Sequence, residues 1–162
     1  MLLGTGCSGT AAGRPLSFSP PQSCLTGQVF AVGTDFAPGT VLRTDGWEEV
    51  WIVGELEEEI QRLTGTVLTV CGPRTTAPPH ENALEAESYE LRSVDGMTAY
   101  LGTLQNVEGG WELVPDQGGA PVPLVGVPAP LVEAMTDRVW VAGTWSGEAF
   151  SVKSFGVLRH VR

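Results

Sequence analysis

Apolar and polar residues alternate in short runs along most of this chain, and the runs are punctuated by Gly, Pro, Asp and Asn. That pattern predicts half-buried β-strands joined by tight turns. The alternating runs LTGQVFAV (25–32) and TAYLGTLQNV (98–107) each lead into a strand, an Asp- and Gly-rich turn, and a further strand. The further strands are EVWIVG (49–54) and APVPLVG (120–126). One short helix follows each time. In the first, Leu56, Ile60 and Leu63 recur at helical spacing, and Glu57, Glu58 and Glu59 crowd the N-terminal turn, where the helix dipole favours anions. Glu58 and Arg62 stand one turn apart, and Gly65 can supply the left-handed stop. In the second, Pro130 suits a first helical position, with Leu131, Val132 and Met135 on the buried side. TVLTVCG (66–72) and SYELRSV (88–94) then close the first unit, as RVWVAGTW (138–145) and AFSVKSFGVLRHV (149–161) close the second. The predicted order is β-β-β-α-β-β, twice.

The two units are copies by sequence as well as by pattern. At a constant offset of 72, Val50 matches Val122, Ile52 Leu124, Gly54 Gly126, Leu63 Met135, Thr64 Thr136 and Val67 Val139. YELRSVDG (89–96) further matches FSVKSFG (150–156). A self-similar unit of roughly 70 residues is the size of a small domain and exceeds the periods of solenoids. The expected organisation is an N-terminal segment (1–24), a first unit (25–96) and a second (97–162). The stretch GPRTTAPPHENALEAES (72–88) is rich in Pro, Ala and Glu, has no equal in the second copy, and is expected to form an exposed loop.

A single helix between the third and fourth of five strands resembles the OB-fold, a small five-stranded Greek-key barrel. The resemblance is one of element order and covers residues 25–162. It implies a mainly β protein made of two tandem OB-fold-like barrels, with a small SH3-like barrel as the structural rival. The pattern is also similar to that of bacterial envelope lipoproteins with repeated small β-barrels, from which no functional residues carry over. In an OB barrel strands one and four pair antiparallel. The resemblance therefore brings Cys24, at the start of strand one, near Cys71, at the end of strand four, and implies a disulfide between them.

The N-terminal stretch MLLGTGCSGTAAGRPLSFSPPQS (1–23) adds an address. Small residues precede Cys7 and a Ser-, Gly-, Thr- and Pro-rich stretch follows it, as where a lipoprotein signal runs into its tether. Gly4 stands where a lipobox carries Leu, and six residues are too few for a complete leader, so the expectation is a lipidated Cys7 in a chain whose start lies further upstream. GTGCSG (4–9) also spells a dinucleotide-binding loop, but the strand and helix that motif requires do not flank it. Three cysteines are an odd number, which leaves Cys7 a separate fate if Cys24 and Cys71 pair.

Charge then narrows the ligand classes. The chain carries −10 overall; residues 25–96 hold 13 acidic and 4 basic side chains against 6 and 4 in residues 97–162. Single-stranded nucleic acid needs a positive groove with exposed aromatics. Aromatic rings are present, but the cations gather only at Arg138, Lys153, Arg159, His160 and Arg162. No nucleophile, zinc or phosphate-loop motif occurs. His80 beside Glu81 reads as a solvated loop histidine rather than a metal ligand. Glu55, Glu57, Glu58 and Glu59 read as a solvated helix face, because consecutive helical residues diverge and cannot converge on one ion. No metal or cofactor is expected. The expected function is a non-catalytic binding or assembly module of the bacterial envelope, lipid-anchored, whose partner is a protein, peptide or glycan. Trp47, Trp51 and Trp111 are its candidate contact surface, since Trp concentrates at binding hot spots. The alternatives are a cytoplasmic single-stranded nucleic-acid binder and a hydrolase with an unrecognised carboxylate site.

Overall fold

The computed structural model describes residues 21–158. Cys7 and the proposed tether lie outside them, as do Arg159, His160 and Arg162. The described residues are mainly β, with two helices of one turn or so. The elements are β1 (Gln22–Thr34), β2 (Ala37–Thr44), β3 (Glu49–Val53), α1 (Glu57–Gln61), β4 (Val67–Ala77), β5 (His80–Glu85) and β6 (Ser88–Val94), followed by β7 (Met97–Val107), β8 (Gly110–Pro115), β9 (Val122–Val125), α2 (Ala129–Glu133), β10 (Arg138–Ser146) and β11 (Ala149–Leu158). All the strands belong to one sheet of order β1-β2-β3-β5-β4-β6-β7-β10-β11-β9-β8, with β1 also pairing β4 and β7 also pairing β8. Each half therefore runs through its strands and returns to its first. The halves are continuous through β6 and β7, which a two-residue turn at Asp95–Gly96 joins.

Sharp strand curvature is built into the sequence at repeated glycines. At Gly27 a Cβ would lie 2.4 Å from the Arg43 carbonyl oxygen, and at Gly102 it would lie 2.0 Å from that of Val114. Each glycine faces the fourth strand of its half on the other side, Gly27 opposite Leu68 and Gly102 opposite Val139. Gly72 and Gly143 form a second matched pair, with 1.8 Å to the Glu85 oxygen and 1.9 Å to the Ser151 oxygen. No other residue lets the backbones approach so closely.

The same register locates the cysteines. Cys24 stands directly opposite Cys71 in the β1–β4 ladder, with Cα atoms 4.1 Å apart and the sulfurs bonded. In the second half the equivalent pair is Ala99 opposite Ala142.

Structural equivalence refines the repeat. In the first strands the offset is 75, as Gly27 and Gly102 show, and in the third strands it is 72, where buried Val50 and Ile52 correspond to Val122 and Leu124. From the helices onward it is 71: Ile60 and Leu63 correspond to Leu131 and Ala134, and Leu68 and Val70 to Val139 and Val141, all buried. Met135, matched by sequence to Leu63, is 43% exposed. Thr136 and Val139 are likewise one residue away from the partners the constant offset gave them.

The expected loop at 72–88 is instead largely strand. β4 continues to Ala77, the chain turns at Pro78–Pro79, and β5 returns beside β4 and parallel to β3. β5 and β6 together occupy the place that β11 fills alone. Val70 faces Tyr89 as Val141 faces Phe155, so the counterpart of Tyr89 is Phe155 rather than Phe150. Proline and glutamate count against strand, yet Pro78 and Pro79 sit at the turn, Pro73 lies in β4 opposite Gln22, and Ala83 and Leu84 are fully buried.

Two apolar clusters fill the molecule. One holds Val29, Leu42, Ile52, Ile60, Leu68 and Leu84 and runs on through Tyr89, Leu91, Ala99, Leu101, Ala142 and Leu158 at the junction of the halves. The other lies within the second half, around Leu104, Leu113, Leu131, Val139, Val141 and Phe150.

Candidate functional site

The three tryptophans singled out by sequence do not meet on one surface. Trp47 sits in the β2–β3 turn with a left-handed backbone and is 79% exposed. The Arg43 guanidinium lies 5.9 Å from its ring centre, 4.6 Å from that of Phe30, and 2.6 Å from the Glu49 carboxylate. Trp51 is half-buried on β3, in a cross-strand row with Phe30, Val41 and Ala83. Its indole covers Gly39, where a Cβ would lie 2.5 Å from the ring, and stacks on His80 with ring centres 3.4 Å apart. His80 is thus the first residue of β5 and an aromatic partner, not a free loop side chain. Trp111, on β8, packs against the core of the second half.

The acidic helix face also divides. Glu58 pairs with Arg62 at 3.0 Å, as the one-turn spacing predicts. Glu59 turns inward instead. Its carboxylate accepts from the Tyr89 hydroxyl and from Arg138, whose Nε and Nη2 donate to Asp116 at 2.7 and 2.6 Å. This network joins α1 and β6 of the first half to β10 and the end of the β8 segment in the second. Burial, with the bond to Glu59, pushes the Tyr89 phenol well above its ordinary value. Burial would lower that of the Arg138 guanidinium, but Tyr89, Asp116 and Glu59 outweigh it and hold the cation firmly charged. Both groups keep their protons throughout the neutral range. Arg138 therefore serves as a crosslink between the halves rather than as part of an open basic patch.

Beside this crosslink lies a cavity of about 300 Å³ lined by Tyr89, Leu91, Tyr100, Gln117, Pro121 and Trp145. It exists because β6 and β7 separate. They pair only at Val94–Met97 and Ser93–Thr98, beside the turn, and Arg92 is an extra residue in the β4–β6 ladder. A bulge of this kind bends its strand and raises its twist, here carrying β6 away from β7. The loop Asp116–Pro121 covers one side: the Asp116 N–H donates to the Leu101 carbonyl at 3.0 Å, and the Gln117 side-chain amide donates to the Tyr89 carbonyl at 2.7 Å. Across the opening, the Trp145 indole donates to the Tyr100 hydroxyl at 3.1 Å and meets the Phe150 ring edge-on.

Sequence reasoning missed Tyr89, Tyr100, Gln117 and Trp145 as a group. Each lies on a different strand or loop, so only the strand pairing brings them together. The one local signal was the Trp145–Phe150 spacing across the SGE turn, which makes them cross-strand partners. Among the described residues, no three His, Cys, Asp or Glu side chains gather where they could hold a metal ion, and no helix is long and apolar enough to cross a membrane. No protein-family profile matches the chain, and no curated protein matches it in sequence.

Proposed function

We propose that the chain is a non-catalytic binding or assembly module of the bacterial envelope, built as two OB-fold-like barrels that present a partner site at their junction. Supporting the barrel reading, the pairings β1-β2-β3-β5-β4 return to β1 and β7-β8-β9-β11-β10 return to β7, with a helix between third and fourth strands each time. The Cys24–Cys71 disulfide is in keeping with an oxidising compartment. A lipid on Cys7 would tether the module to the membrane.

The observation that carries the binding reading is the junctional cavity. It is concave, its aromatic rings give a rigid apolar floor, and a few placed polar groups can fix an orientation, which is the usual anatomy of a ligand site. Its nearby cations, Arg92 and Arg138, are already ion-paired, and the whole chain is strongly acidic, so a protein, peptide or glycan suits it better than a polyphosphate. Panels of glycans, short peptides and single-stranded oligonucleotides, titrated against the full chain and its Trp145→Ala variant, test this. Binding of a glycan or peptide that the variant loses at least tenfold supports the reading. Oligonucleotide binding with a steep salt dependence, or ligand binding indifferent to Trp145, contradicts it.

A further inference from the structure

We infer that the partner held at this junction is an extended peptide, added as an extra strand to the edge of β6 that β7 leaves unpaired. The inference rests on the junctional cavity being the binding site and names what it takes.

Main-chain geometry carries it. In an antiparallel ladder, a residue directs both its N–H and its C=O either toward the partner strand or away from it, and the direction alternates along the strand. The Tyr89 carbonyl points away from β4, because it accepts from the Gln117 side chain. By the same alternation Leu91, two residues on and still in the regular part of the β4–β6 ladder, also presents its N–H and C=O away from β4. The β6–β7 ladder begins only at Ser93, so these groups face the cavity. Two outward-facing residues spaced by two form the repeat that another strand recognises, and an extended polypeptide backbone offers donors and acceptors at that spacing.

Proteins normally blunt such an edge. Here the Gln117 amide stands where a partner's N–H would donate to Tyr89, and Tyr89 and Leu91 are themselves buried, so the edge is unpaired but covered. Gly118 and Gly119 follow Gln117 in left-handed conformations, so the covering side chain sits on a turn made by residues of low steric constraint. A peptide strand would replace the Gln117 bond with its own. Its alternate side chains would then point at Tyr100, Pro121 and Trp145, which line the same cavity. Charge selects among peptides. At the rim Glu90 pairs with Arg92 and Asp116 with Arg138, so the selecting charge is that of the chain as a whole, −10, and the peptide is neutral to basic with apolar or aromatic residues at alternate positions.

The test is a selection of end-blocked heptapeptides from a random library on the full chain, beside a glycan panel. The tightest peptide is then remade with one N-methyl group at each position in turn. Strand addition predicts that methylation at alternate residues weakens binding tenfold or more while the intervening positions tolerate it. It also predicts that the amides of Tyr89 and Leu91 gain protection from hydrogen exchange on binding, and that Gln117→Ala tightens binding severalfold. Peptide binding that tolerates N-methylation everywhere overturns the inference. Glycan binding without peptide binding overturns it and leaves the junctional site standing, whereas binding of neither removes both. Dimerisation of the free chain that protects the same two amides assigns the edge to a second copy and also overturns it.

Discussion

Cys24 and Cys71 illustrate how much one residue pair can contribute to a small fold. Their crosslink closes a loop with a sequence separation of 47, for which loop-closure entropy gives about 4 kcal/mol of stabilisation. The second half carries Ala99 and Ala142 at the same place, both buried, so alanine is sterically accommodated there. Replacing both cysteines by alanine is therefore expected to lower unfolding free energy by roughly 2–5 kcal/mol in urea titration without altering the fold. An unchanged midpoint would show that the loop gains nothing from the crosslink. Thr40 gives a second prediction at this scale. Its side chain is fully buried and its hydroxyl has no hydrogen-bond partner, which costs about 1–3 kcal/mol for the desolvated group. Thr40→Val keeps the shape and removes the orphan, and a raised melting temperature is the expected outcome; a lowered one would mean the hydroxyl is satisfied.

Among the elements, the matched glycines make the strongest claim. A methyl group at Gly72 or Gly143 would fall within 2 Å of a backbone oxygen, which no rotamer change relieves. Either Gly→Ala substitution is expected to cost more than the roughly 1 kcal/mol typical of point substitutions, and equal costs would support a common origin for the two halves. A neutral result at either position would contradict the close strand crossing. Strand runs, turns and both helices were readable because period and turn chemistry are local signals. β5 was not: its apolar pair, Ala83 and Leu84, sits within a Pro- and Glu-rich stretch, and its burial comes from β3 and β4, which lie far away in the chain. The one-residue slip in the repeat was hidden for a similar reason. Met135 resembles Leu63 in type, and only burial reveals Ala134 as its counterpart. The candidate site was least legible. Trp47, Trp51 and Trp111 were chosen by residue type, yet strand pairing sends them to separate places and gathers Tyr89, Tyr100 and Trp145 instead.

Taken as a whole, the molecule behaves as two similar halves that cannot separate freely. The first core runs into the junction through Tyr89, Leu91 and Leu101, and the network of Glu59, Tyr89, Arg138 and Asp116 spans it. Thermal and chemical unfolding are accordingly expected to show one cooperative transition, and two resolved transitions would contradict the shared core. The network also fixes a pH dependence. Because Tyr89 holds its proton more tightly when folded, its contribution is fully present below the ordinary tyrosine value of about 10 and declines as pH rises above it, where the unfolded chain ionises first. Stability measured from pH 8 to 11 should therefore fall at the alkaline end, and Tyr89→Phe should flatten that fall.

The proposed function places partner binding at the junctional cavity, and amide chemical-shift mapping is its sharpest test. The ¹⁵N-labelled chain is titrated with the selected heptapeptide and with the glycan panel. The largest shifts are expected on Tyr89, Leu91, Gln117 and the Trp145 indole, on both sides of the cavity. Shifts confined to Trp47, or to Trp51 and His80, away from the cavity, or none with any ligand, would contradict the binding reading.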